Sequence, residues 1–143
     1  MIRSCLIIEQ NQDASEIFTA AFREAGFSVS IASTGAEAAD FLRHACPDLV
    51  LVDQWTAAHS GSVNVFNILQ ENRYAQTKTI FVTSAPTGLP GYRGVPALTL
   101  VKPLLFADLK KVAQDLYQSL LTTGQKASNI QPASTGVPRD ASI

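Results

Sequence analysis

The side chains with chemistry to offer are few in this chain of 143 residues, and they stand at the ends of apolar runs. Pro47-Asp48-Leu49-Val50-Leu51-Val52-Asp53 carries four consecutive apolar residues straight into an aspartate. Cys5-Leu6-Ile7-Ile8 ends at Glu9-Gln10-Asn11, Thr79-Ile80-Phe81-Val82-Thr83 ends at Ser84, and Leu98-Thr99-Leu100-Val101 ends at Lys102-Pro103. If these runs are neighbouring strands, Glu9, Gln10, Asp53, Thr83, Ser84 and Lys102 meet at one end of a sheet. Carboxylates on adjacent strand ends can share a hard divalent cation, which takes oxygen ligands. A hydroxyl and an ammonium facing the same point can hold an anion such as a phosphoryl group. Metal, carboxylate nucleophile and cation together are the parts required for phosphoryl transfer onto an aspartate.

The elements that must position them follow from periodicity. Leu49 to Val52 shows no alternation, which predicts a strand covered on both faces. A carboxylate where such a strand ends lies at the mouth of the crevice of an open α/β sheet. Asp13 with Glu16 marks a helix start, and Ile17, Phe18, Ala21, Phe22 and Ala25 form its apolar face before Gly26 stops it. Phe27, Val29 and Ile31 alternate as a second strand. Thr34 with Glu37 opens a second helix, with Ala38, Phe41, Leu42 and Ala45 on one face. A loop is predicted from Asp53 through Gly61, then a third helix built on Val65, Phe66 and Leu69. Leu105, Leu109, Val112, Ala113, Leu116 and Leu120 make a long final amphipathic helix.

Strand and helix alternate, so the fold class is α/β, a parallel sheet with helices on both faces and right-handed crossovers. The segment 84–96 breaks the rhythm. Its three prolines and three glycines in thirteen residues exclude a normal helix and predict a loop, or at most a single turn. Residues 1–122 read as one domain. From Thr123 to Ile143 the composition turns to Ser, Thr, Gly, Pro, Asn and Gln, with only Ile130, Val137 and Ile143 as large apolar residues. Such a segment cannot bury enough surface to order itself and reads as a disordered tail or truncated linker.

Composition excludes several classes. A formal net charge of -1 gives no basic excess for a sequence-independent grip on nucleic acid. The first apolar run is too short for a signal-peptide core, ends in Glu9 and has no small-residue cleavage site. No window reaches transmembrane length. The expectation is a cytoplasmic protein with no membrane contact. Cys5 and Cys46 make neither a disulfide framework nor a metal site and are expected to be buried, reduced thiols.

Leu6-Ile7-Ile8-Glu9, the run from Pro47 to Asp53, Gly61 eight residues after that aspartate, Phe81-Val82-Thr83-Ser84 with Thr83 thirty residues after it, and Val101-Lys102-Pro103 occur in order. Over residues 1 to about 121 this pattern resembles the receiver domain of two-component response regulators. The resemblance implies a flavodoxin-like three-layer α/β/α fold with a five-stranded parallel sheet of order 2-1-3-4-5, a topology known for the chemotaxis member of that family. It implies a phosphorelay module with Asp53 as phosphoacceptor, Thr83 binding the phosphoryl group and Lys102 pairing with it. It further implies Mg²⁺ held by Glu9, Gln10, Asp53 and the main-chain carbonyl of Trp55. The donor is a phosphohistidine of a sensor histidine kinase or phosphotransfer protein, pairing as a homodimer is allowed, and chemistry on a diffusible metabolite is not implied.

The chain departs from that family at defined positions. The second of its usual two adjacent acids is Gln10, a carboxamide with an oxygen but no charge. One unit charge a few Å from Mg²⁺ is worth up to ~4 kcal/mol at an effective dielectric of about 20, much of it offset by hydration. Metal binding is therefore expected to weaken, while the longer Glu9 can reach toward the direct position. Ala57 replaces a proline and Thr99 an aromatic, and the fourth helix is missing or reduced to the 84–96 segment, so the output face is altered. Trp55, two residues past Asp53, is placed to shield an acyl phosphate from water.

Plainer roles exist for each residue. The plainer role of Asp53 is a cap of a helix or turn, which the spacing of Thr83 and Lys102 argues against; that of Thr83 and Ser84 is capping, that of Lys102 a solvated strand-end lysine, and that of Glu9-Gln10-Asn11 a polar loop. His59 reads as a solvated loop residue, and His44 suits the end of the second helix. A pseudo-receiver, keeping the fold as a protein-interaction module without phosphorylation, is the alternative function. An enzyme on this fold lacks its motifs: no phosphate loop follows the first strand, no second aspartate stands at position 55, and no glycine-rich loop ends in Lys-Ser/Thr.

Overall fold

Residues 3–59, 65–84 and 98–123 are described in the computed structural model of the chain. Its element order is β1 (Ser4–Ile8), α1 (Gln12–Ala25), β2 (Ser28–Ala32), α2 (Gly35–His44), β3 (Leu49–Asp53), α3 (Gln54–Ala58), α4 (Val65–Leu69), a 3-10 turn (Asn72–Tyr74), β4 (Lys78–Thr83), β5 (Leu98–Val101) and α5 (Phe106–Thr123). All strand pairs are parallel, in the order β2-β1-β3-β4-β5 expected from the resemblance.

Strand periodicity divides the interior into two cores. Cys5, Ile7, Leu49, Leu51, Ile80, Val82 and Leu100 face one side, where Phe18 and Phe22 of α1 and Leu109, Val112 and Ala113 of α5 cover them. Leu6, Ile8, Val50, Val52 and Phe81 face the other, under Ala38 and Leu42 of α2, Ala57 of α3 and Val65, Phe66 and Leu69 of α4. Every residue of β3 is buried, the behaviour its uninterrupted apolar run predicts. Each fully buried Leu, Val or Ile contributes on the order of 1.5–3 kcal/mol.

Several local readings are corrected. Asn11, not Asp13, caps α1: its carboxamide oxygen accepts the Ala14 N–H at 2.8 Å, and Asp13 lies within the first turn. Thr34 caps α2 as expected, accepting the Glu37 N–H at 3.1 Å. The loop expected after Asp53 is instead α3, beginning at Gln54. Ala57 explains this. A proline there would supply no N–H and would push residue 56 away from helical angles. Ile17 of the first helix's apolar face and Ile31 of the second strand are each 45% exposed, and Cys46, expected to be buried, is exposed with its thiol donating to the Arg73 carbonyl. Gly61, the 84–96 loop with its reduced fourth helix, and the tail from residue 124 lie wholly or almost wholly outside the described residues.

Gly26 ends α1 at φ 117°, and its N–H bonds the Arg23 carbonyl. A Cβ built there meets the Tyr117 ring of α5 at 3.0 Å. Gly26→Ala should therefore cost about 1–3 kcal/mol through the left-handed backbone and the clash together. A fall in the urea midpoint at constant m-value is the expected observation.

Candidate functional site

The sheet register builds the site. Ile8 pairs with Val52, Asp53 with Val82 and Val82 with Leu100, so Glu9 after β1 comes level with Asp53 at the end of β3, and Lys102 after β5 stands two residues beyond that level on the same face. Lys102 is drawn in by its own main chain, whose N–H donates to the Thr83 carbonyl at 2.8 Å. The period of two then sends Glu9, Asp53 and Lys102 toward the α1/α5 side, in step with Ile7, Leu51 and Leu100. Thr83 follows Phe81 toward the α2/α4 side. A cleft of about 520 Å³ opens over these ends, lined by Glu9, Asp53, Trp55, His59, Thr83 and Lys102 among others.

At its floor Glu9 and Asp53 are buried, at 2% and 4% exposure, and one ammonium serves both. Lys102 Nζ lies 3.3 Å from Glu9 Oε1 and 3.0 Å from Asp53 Oδ1. Two carboxylates taken out of water demand such a partner. Burial pushes the Glu9 carboxyl above its usual range; the Asn11 N–H and the Lys102 ammonium work against this, and the Asp53 charge adds to it. For Lys102, burial acts to lower the pKa, but the Asp53 and Glu9 carboxylates outweigh it and hold the ammonium more firmly protonated than a free lysine.

The other carboxylate oxygen of Asp53 faces α3. Asp53 Oδ2 accepts both the Thr56 N–H and the Thr56 hydroxyl, each at 2.9 Å. Thr56 Oγ1 in turn accepts the Gln10 N–H at 2.9 Å. Asp53 thus caps a helix, its plainer role, and stands in the crevice at once. Thr83 is buried in the cleft wall, and its hydroxyl donates to the Gln54 carboxamide oxygen. Gln10 is exposed and contributes its main-chain N–H. The Trp55 carbonyl, expected as a metal ligand, is engaged along α3. It accepts the His59 N–H at 3.0 Å and lies 2.8 Å from His59 Nδ1. The Trp55 indole, 52% exposed, stacks on the His59 ring at 3.8 Å between centroids and 13° between planes.

Gln54 and Thr56 escaped the sequence reading. The signal for Thr56 was an aspartate three residues ahead of it at a strand end, the spacing of an N-cap and its N3 residue.

A family model for the response regulator receiver domain matches residues 5–95, well over half of the chain. The chain belongs to the response regulator receiver domain family. The chemotaxis response regulator CheY4 of Vibrio cholerae is 19% identical, with a TM-score of 0.64 over 80% of this chain and 98% of that one. The receiver domain of the Francisella response regulator 1452 is 18% identical, with a TM-score of 0.66 over 82% and 98%. The phosphorylated cyanobacterial phytochrome response regulator RcpA is 15% identical, with a TM-score of 0.65 over 87% and 98%. These likenesses establish the CheY-like, flavodoxin-like fold. Among curated proteins nothing matches. Receiver domains are signalling domains that work with histidine kinases or phosphotransfer proteins and generally bind Mg²⁺ at the phosphorylation site. Among the described residues no helix is long and apolar enough to cross a membrane.

The donor set of this receiver can be tested against Mg²⁺. Among the described residues no group of three or more His, Cys, Asp and Glu converges, so the anionic donors are Glu9 and Asp53 alone. Both already converge on a single cation, the Lys102 ammonium. Two carboxylates so placed fit Mg²⁺, a hard ion that keeps several waters and takes one or two carboxylates. The Trp55 carbonyl does not fit while its partners are those of α3.

Removing the shared cation tests how the floor is held. Lys102→Met should destabilise the fold by about 1–3 kcal/mol, because two buried carboxylates then face each other unpaired. Adding Asp53→Asn to Lys102→Met should recover most of that loss, since asparagine still caps α3 and carries no charge. Urea denaturation of the two single variants and the double variant gives the coupling directly.

Proposed function

We propose that this receiver accepts a phosphoryl group on Asp53 from a phosphohistidine of a sensor histidine kinase or phosphotransfer protein. The observation that carries the reading is the Lys102 ammonium held between Glu9 and Asp53 at 3.3 and 3.0 Å. An Asp53 oxygen attacks phosphorus as the phosphohistidine N–P bond breaks, and the imidazole nitrogen keeps the electron pair. Lys102 moves from carboxylate to phosphoryl oxygen, a displacement its long flexible stem allows. The Thr83 hydroxyl, on the facing wall, turns from Gln54 to donate to the same group. Glu9 and Asp53, with the Gln10 carboxamide as a neutral helper, are the residues that would hold Mg²⁺, which would supply charge neutralisation for the phosphoryl oxygens.

The readout proposed is altered. Thr99 is exposed and has no ring to rotate inward. Signal output is assigned instead to the α5 face, whose first turn is flanked by Leu105 at 61% exposure and Phe106 at 38%, or to the 84–96 segment. A second reading, a phosphorylation-independent interaction module, is favoured by the exposure of Gln10 and by the commitment of the Trp55 carbonyl to His59.

Incubation with acetyl phosphate and Mg²⁺, followed by intact-mass measurement, separates the two. The first reading expects one added phosphoryl group that is absent in Asp53→Asn, with Lys102→Ala slowed by about a hundredfold. An unmodified wild-type chain would leave the second. Trp55→Asn should shorten the lifetime of the phosphorylated form by opening it to water, and a half-life at least as long as that of the wild type would sink the shielding role of the indole.

A further inference from the structure

The groups that phosphoryl transfer at Asp53 would use are held by one short element. Thr56 gives two hydrogen bonds to Asp53 Oδ2, Gln54 receives the Thr83 hydroxyl, and the Trp55 carbonyl is bound to His59. All of these partners lie in α3 or at its C-terminal cap. An aspartate that carries a phosphoryl group on one oxygen and touches a cation with the other needs both oxygens. Here Oδ1 faces Lys102 and Oδ2 is taken twice by Thr56.

We propose that α3 is an intrachain competitor for the phosphorylation site, with Thr56 as the positioning residue that latches it onto Asp53. The latch is built rather than incidental. Thr56 is buried at 2% exposure, and its hydroxyl is oriented by the Gln10 N–H, so the proton on Oγ1 is aimed at Asp53. The N-terminal cap of α3 holds Asp53 Oδ2 and its C-terminal bond holds the Trp55 carbonyl, so unwinding this five-residue helix as a whole releases both. Ala57 is what permits the closed form, since its N–H and helical angles are both available. The inference deepens the phosphoacceptor reading and rests on it. It adds that cation binding and phosphorylation both draw on opening this helix.

Mg²⁺ binding is read through Trp55 fluorescence in the full chain, alongside amide exchange at residues 55–59 and phosphorylation by acetyl phosphate. Thr56→Ala removes the hydroxyl bond, Thr56→Ser keeps it, and Ala57→Pro breaks the helix by a separate route. The expected result is Mg²⁺ affinity about ten- to a hundredfold higher in Thr56→Ala than in the wild type, the factor for losing one hydrogen bond to a charged carboxylate in the closed form. Thr56→Ser should match the wild type. Ala57→Pro should shift in the direction of Thr56→Ala, with faster exchange at residues 55–59 in both. Thr56→Ala binding Mg²⁺ no more tightly than Thr56→Ser overturns the latch, and if the wild type is nevertheless phosphorylated on Asp53 the phosphoacceptor reading stands without it. A wild type and a Thr56→Ala variant that both ignore Mg²⁺ and acetyl phosphate overturn the latch and that reading together.

Discussion

The arrangement at the top of the sheet depends on one ammonium between two buried carboxylates. Glu9 and Asp53 are brought together by the β1–β3 register, and both are buried. Lys102 supplies the counter-charge only because β5 lies beyond β4 and its last residue is followed by a main-chain bond to Thr83. The ion pair therefore ties three strands that are not mutual neighbours. It also gathers two hard oxygen donors around one positive charge.

A second constraint is the parity of the strands. Side chains alternate along each strand while register partners face the same way, so a residue one step further along its strand faces the opposite side. Glu9, Asp53 and Lys102 share one parity and form one wall. Thr83 has the other and meets Gln54 at the start of α3. The crevice is thus a meeting of two walls, with α3 standing between them. This placement gives α3 access to both: Thr56 reaches Asp53 on one side and Gln54 reaches Thr83 on the other.

The strand-helix alternation, the buried central strand and the company of Asp53 were legible in the sequence because each rests on a strong local signal. A run such as Leu49 to Val52 admits few readings, and residues that end such runs must gather at one edge of a parallel sheet. What was not legible depends on short elements and on orientation. Five residues make no periodic pattern, so α3 read as loop, although Ala57 in place of a proline had already removed the main obstacle to a helix there. Asn11 and Asp13 both offer cap chemistry within one turn, and only the backbone decides between them. Ile31 is exposed on β2, an edge strand, and edge position is not encoded in the apolar pattern of a single segment.

The energetic scale of α3 explains why so small an element can matter. A helix of five residues has no stability of its own in water, because nucleation fixes several residues for a single hydrogen bond. It persists through tertiary contacts: the Asp53 cap, the Gln10 bond to Thr56 and the burial of Ala57 against the α2/α4 core. Each is worth on the order of 1 kcal/mol, with bonds to a charged carboxylate at the upper end of about 1.5–3. A ligand moves such an equilibrium only by its differential affinity for the two forms, and differences of this size are within reach of a cation or a phosphoryl group that needs the oxygens α3 occupies. A long helix, or one packed along its whole length like α1 against α5, would require far more. If α3 competes with a ligand at Asp53, the shortness of the element is what brings that competition within reach.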